Sequence, residues 1–250
     1  MDGQLVDLCQ LPSKGFGYPK DIEIYVKPLS IREQIDMERY GISEAEYFRT
    51  ILNGITIQGN FNKNNLLHSD VQFLDIARRL FSFDTKEKVK IEDCTCIYPD
   101  CGEKFTYEFN ISDICFSDFK KDIFGKHFIF GKDTDDELEV VVSPVTVSEY
   151  INMSRLFRNN TDKKTAMSSM YTDYMCVCIR EIIGREFKND KDRNSFLKDY
   201  INNLWSAKDK KVLKQIADET IIEVEPFKVI CEACGRETEV LVTPTANFQQ

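Results

Sequence analysis

Two cysteine turns lie far apart in this chain, and together they limit its fold more than any other feature. The first is Cys96-Ile97-Tyr98-Pro99-Asp100-Cys101-Gly102-Glu103 and the second is Cys231-Glu232-Ala233-Cys234-Gly235-Arg236. In each copy glycine follows the second cysteine, and an alternating strand-like run comes next: Phe105–Phe109 in one, Thr238–Val242 in the other. Two thiolates that share a tetrahedral ion must converge at a turn, and a glycine after the second permits the positive φ such a turn needs. Cys96, Cys101, Cys231 and Cys234 are therefore the expected ligands of one structural zinc ion. Cys94 is the alternate to Cys96, because Cys94-Thr95-Cys96 offers two candidates for one position. The competing reading makes these residues small buried hydrophobes or a redox pair. A catalytic zinc keeps an open position and usually recruits histidine, whereas His68 and His127 lie in no motif. The metal reads as a staple.

If the two turns meet, everything between residues 102 and 230 is inserted into one metal-closed ribbon. Closing so long a loop costs entropy that grows only as the logarithm of its length. Structural zinc in finger peptides supplies roughly 10–16 kcal/mol of apparent binding energy at neutral pH, so the ion outweighs the closure cost. The expected architecture is α+β: mostly helical domains inserted into a split, zinc-stapled β-ribbon, preceded by an extended N-terminal arm and a strand. Its boundaries fall at residues 1–20 for the arm, 21–84 for a strand and three helices, 85–112 and 225–250 for the two ribbon halves, and 113–224 for a mainly helical insertion.

The chain in order supports this division. Residues 8–20 hold two prolines and two glycines and form no regular element, but Leu11, Phe16 and Tyr18 are apolar anchors with which the arm is expected to dock on a partner subunit. Ile22, Ile24 and Val26 alternate as in a strand with one buried face. Ser30…Glu33, Ser43…Glu46 and Ser69…Gln72 are capping boxes. They predict helices with Ile31, Ile35 and Met37, then Tyr47, Phe48, Ile51 and Leu52, then Phe73, Leu74, Ala77, Leu80 and Phe81 towards the core. Residues 58–65 are expected as a polar loop. The phenylalanines between 114 and 130 belong to a core or an interface, and residues 131–137 to a solvated hairpin turn. Ser148 is expected to cap a helix. A longer helix is predicted over 164–183, with Cys176 and Cys178 as core cysteines, and two more from about Asn194 or Ser195 and from Asp209.

Composition excludes several classes. No stretch of eighteen apolar residues occurs and the N-terminus lacks a signal-peptide pattern, so neither secretion nor membrane insertion is expected. Nine cysteines, an odd number grouped in turns, suit metal binding in a reducing compartment better than disulfides. A net charge of −9 repels a phosphate backbone, so no nucleic-acid partner is expected. No phosphate loop, matched nucleophile and base, or carboxylate pair marks an enzyme.

Leu11-Pro12-Ser13-Lys14-Gly15, the following Tyr18, the strand into Pro28-Leu29-Ser30, the helix pair ending near Leu66-Leu67, the helix over Asp70–Phe81 and a later cysteine knuckle resemble the baseplate hub proteins of T-even-type contractile-tailed bacteriophages. The resemblance implies a non-enzymatic virion or assembly component at the tail hub. It implies other tail and baseplate proteins as partners, with a homo-oligomer within the hub also open. Two other classes compete: a zinc-ribbon regulator that binds nucleic acid or the transcription machinery, and a thiol redox enzyme. Acidic residues outnumber Lys104 and Arg236 around the turns, which counts against the first. No Cys-x-x-Cys pair sits after a strand at a helix start, which counts against the second.

Overall fold

Serine and glutamate three residues apart open the first two helices. The Ser30 hydroxyl accepts from the Glu33 N–H while Glu33 accepts from the Ser30 N–H, starting α1 (Ile31–Glu38). Ser43 and Glu46 make the same exchange at α2 (Glu44–Asn53). The computed structural model describes residues 3–39, 42–82, 88–132, 134–157, 172–203, 206–222 and 224–241. The chain divides into two compact units: residues 1–63, 69–118 and 222–250 in the first, 64–68 and 119–221 in the second.

In the first unit β1 (Gln4–Val6), β2 (Glu23–Val26) and β3 (Ile55–Gln58) form an antiparallel sheet in the order β1-β2-β3. Ile22, Ile24 and Val26 are buried as the alternation predicts. The expected polar loop gives up its start to β3, because Ile55-Thr56-Ile57 alternates and pairs with β2 through Ile24↔Ile57 and Val26↔Ile55. Tyr47, Phe48, Ile51 and Leu52 of α2 are buried, as expected. α1 differs: Ile31 and Ile35 stand 79% and 62% exposed, while Met37 is buried. Glu33 and Met37, four residues apart, share the inward side of α1, and Glu33 is drawn there by Arg78.

Arg78 is fully buried on α3 (His68–Ser82). Its Nε donates to the Lys27 carbonyl at 2.8 Å, its Nη1 to the Thr50 and Ile51 carbonyls at 3.2 and 3.3 Å, and its Nη2 to Glu33 Oε1 at 2.9 Å. One guanidinium thus ends strand β2, neutralises the C-terminal turn of α2 and anchors α1. Gly54 makes room for it: a Cβ there would lie 1.9 Å from Arg78 Cζ.

The third capping box is not a cap. α3 already includes Ser69 and Asp70, and buried Asp70 instead accepts from the Ser13 N–H at 2.9 Å, the Ser13 hydroxyl at 2.5 Å and the Tyr18 hydroxyl at 2.6 Å. The arm, expected to dock on a partner subunit, is bonded to α3 of its own unit. Leu11 is 0% exposed, β1 pairs with β2, and the Tyr18 ring packs 5.1 Å from Phe61, so of the three apolar anchors Phe16 and Tyr18 keep some surface. The physical reason is Asp70: a carboxylate buried on α3 needs donors, and residues 13–18 supply three.

The second unit combines its helices with a three-stranded sheet, of which the strand over Ile179–Ile182 falls within a predicted helix. β6 (His127–Phe130), β7 (Leu138–Val142) and β8 (Ile179–Ile182) form an antiparallel sheet in the order β6-β7-β8, and of the predicted turn residues 131, 132 and 134–137 are described and lie between β6 and β7. The helix predicted over 164–183 does not reach its end: residues 172–178 are helical (α5), then Ile179–Ile182 pairs with β7, and residues 158–171 lie outside the described ones. Phe130, Val140, Val142, Met175, Ile179 and Ile182 pack with Leu197 and Ile201 of α6 (Asp190–Asn202) and Ile216 of α7 (Ala207–Thr220). Cys176 and Cys178 are buried in that core, as expected. α6 and α7 start earlier than predicted, capped by Asn189 and Ser206. α4 (Val147–Phe157) is opened by Thr146, not Ser148, through reciprocal bonds with Glu149.

Candidate metal centre

Each cysteine turn closes a two-stranded hairpin of the first unit. β4 (Val89–Thr95) and β5 (Lys104–Phe109) flank the first turn; β9 (Phe227–Ile230) and β10 (Glu237–Val240) flank the second. The ribbon is thus two separate hairpins, with the whole of residues 119–221 entering the chain between them. Phe227 packs 4.9 Å from Phe109 and 5.4 Å from Tyr107, so the faces of β9 and β5 share one apolar cluster.

The turns share a hydrogen-bond plan. The Cys96 N–H donates to the Glu103 carbonyl and the Cys231 N–H to the Arg236 carbonyl, both at 2.9 Å. Gly102 and Gly235, at φ +58° and +69°, take the left-handed conformation foreseen from the sequence. This reverses the chain so that the next residue's N–H faces the second sulfur.

Cys96, Cys101, Cys231 and Cys234 place their sulfurs within 4.8 Å of one another. Cys96 Sγ to Cys234 Sγ and Cys101 Sγ to Cys231 Sγ are each 3.8 Å. Four sulfurs about 2.3 Å from one tetrahedral ion lie about 3.8 Å apart, so these distances fit the edges of a zinc tetrahedron. None of the nine cysteines is in a disulfide. Cys94 lies outside the cluster: it sits at a bulge of β4 after Asp93 (φ +55°), and its thiol donates to the Ile91 carbonyl. Neither histidine joins: His127 pairs with Glu139, and His68 stacks on Tyr150.

The cluster's electrostatics suit a cation. The Cys234 thiol is pulled down to about 6, first by the Arg236 N–H and then by the Arg236 side chain. At Cys101 the Glu103 N–H favours the thiolate, but desolvation and the three neighbouring sulfurs outweigh it and push the thiol up to about 12. Sulfurs this close resist ionising together unless a cation takes the place of their protons. A tetrahedral ion held by all four sulfurs would keep no open position.

Four further residues join the turns, and sequence reasoning missed them. Arg236 Nη2 donates to both carboxylate oxygens of Asp100, at 2.9 and 2.8 Å, and its guanidinium lies 4.0 Å from the Tyr98 ring centroid. The hydroxyl of fully buried Thr238 accepts the Ile97 N–H at 3.0 Å. The available signal was the opposite charge of Asp100 and Arg236 in two copies of one turn.

A family model described as T4 bacteriophage base plate protein matches residues 6–248, nearly the whole chain. The chain belongs to that baseplate protein family. Its place is accordingly the tail baseplate of the phage particle. Neither a curated protein nor a solved structure matches it. Among the described residues no helix is long and apolar enough to cross a membrane.

Proposed function

We propose that this baseplate protein is a non-enzymatic structural or assembly component of the hub region, acting through contacts with other tail and baseplate proteins, with one zinc ion as an internal staple. The observation that carries this reading is the family match over residues 6–248. The staple rests on the four converging sulfurs. A surface for protein contact is supplied by α1. Ile31 and Ile35 lie one turn apart in water, on a helix fixed by its capping box and by the Glu33–Arg78 pair. Large aliphatic side chains so exposed on a fixed element are typical of contact sites. Nucleic acid is not a partner in this reading, because a net charge of −9 leaves little counterion release to drive binding.

The test combines the protein with the other baseplate proteins and follows their assembly by sedimentation, for the parent and for the double variant Ile31→Asp/Ile35→Asp. The variant is expected to melt like the parent and to drop out of the assembly. Assembly at parental levels removes α1 from the contact. Salt-sensitive binding of the parent to duplex or single-stranded nucleic acid overturns the protein-only reading.

A further inference from the structure

Residues 96–101 and 231–234 are held together by more than their sulfurs. Arg236 reaches across from the second turn to grip Asp100 with two hydrogen bonds, and its guanidinium carbon lies 4.0 Å from the Tyr98 ring centroid. On the buried side, Thr238 of β10 accepts the Ile97 N–H, the residue next to Cys96. These links join positions 136 and 141 apart in the chain, and none of them uses the metal.

We propose that Arg236, Asp100, Tyr98 and Thr238 form a metal-independent latch, which sets the two turns in register for the ion and governs how readily the ion leaves. This inference rests on the reading of the four cysteines as a zinc site. An isolated exposed ion pair contributes little. This one differs in three respects. It is bidentate, its guanidinium lies over an aromatic ring, and it is accompanied by the hydrogen bond from the Ile97 N–H to the buried Thr238. Without the latch the apolar contacts of Phe227 with Tyr107 and Phe109 remain, and the ion would have to supply more of the alignment from its own binding energy. Residues that orient metal ligands from outside commonly change affinity about ten- to a hundredfold.

The test uses the full chain with zinc or cobalt alone, read by chelator competition, dissociation rate and the cobalt charge-transfer and d–d spectrum. Arg236→Gln is expected to weaken zinc binding about tenfold or more and to speed its loss, with one ion and a tetrathiolate cobalt spectrum retained. Asp100→Asn should do the same, and the double variant should be no worse than either single one. Arg236→Lys, which keeps the charge but not the bidentate grip, should recover only part of the loss. Thr238→Val should weaken binding, and Thr238→Ser should restore it, which separates the hydroxyl from packing. Zinc affinity and dissociation within threefold of the parent in Arg236→Gln and Thr238→Val overturn the latch while leaving the zinc site intact. A parent chain that binds neither metal stoichiometrically overturns the zinc site itself, and the latch with it.

Discussion

Arg78 shows how one side chain can organise a unit. It is fully buried, yet each direction of its guanidinium meets an acceptor: the end of β2, the last turn of α2 and the Glu33 carboxylate. Removing one partner of such a buried pair usually costs about 3–5 kcal/mol, because the other charge is left without compensation. Gly54 is the position that tests this most sharply. Its backbone is ordinary, at φ −85° and ψ 0°, so alanine there meets only the steric conflict with Arg78. Gly54→Ala is expected to lower unfolding stability in urea by about 3–5 kcal/mol, and to add little once Arg78→Met is present. Additive losses would show that Arg78 is not the group displaced. Two carboxylates carry a second residue-scale prediction. Desolvation pushes Glu33 and Glu149 up, but it is outweighed at Glu33 by the Ser30 N–H and Arg78, and at Glu149 by Arg180 and Thr146, so both lie below the ordinary 4.5. The unfolded chain then takes up these protons first as pH falls. Their stabilisation is complete above about pH 4.5 and is lost as pH falls through the folded values. Glu33→Gln and Glu149→Gln should each flatten the stability profile on its acid side, below about pH 4.5; an unchanged slope would contradict the assignment.

At the scale of elements, local signals marked ends and tertiary partners decided faces. The boxes at Ser30 and Ser43 are read correctly from four residues, because a cap needs only its own backbone. Ser69…Gln72 has the same letters, but the Asp70 carboxylate is claimed by Ser13 and Tyr18, 57 and 52 residues away, and the helix starts earlier. The apolar residues of α1 misled for a related reason: Ile31 and Ile35 define a face, but the face that packs is the one whose Glu33 meets Arg78. In the stretch after 171, Cys178 and Ile179 continue a helical spacing, and pairing with β7 turns them into helix end and strand. The N-terminal segment is the element with the clearest consequence. Leu11 is buried and Asp70 holds residues 13 and 18, so deleting residues 1–20 strips a strand from the first sheet and leaves a buried carboxylate without donors. The truncated chain is expected to lose its cooperative melt, and Asp70→Ala in the full chain to cost about 3 kcal/mol or more. A truncation that melts like the parent would return the segment to the role of a free docking arm.

At the scale of the whole molecule, the four sulfurs were legible because a metal site is written as spacing: two turns, each ending in glycine, each opening a strand. The choice between Cys94 and Cys96 was not legible, since both precede the same turn. In the structure Cys96 is in the four-sulfur cluster, while Cys94, at the bulge after Ile91, has its thiol on a backbone carbonyl. The opposite charges of Asp100 and Arg236 were a signal for their contact, but the bond from Ile97 to Thr238 was beyond reach, because it depends on how two hairpins meet and not on either hairpin alone. The chain's central organisation follows from these four positions. A 119–221 segment enters between the hairpins, and in the proposed reading an ion held by Cys96, Cys101, Cys231 and Cys234 would tie its two ends. Native mass spectrometry of the parent, Cys96→Ser and Cys94→Ser chains tests that claim most directly. The account predicts one zinc per parent chain, its loss from Cys96→Ser and its retention by Cys94→Ser. A parent without metal, or a Cys96→Ser chain that keeps zinc while Cys94→Ser loses it, would contradict it.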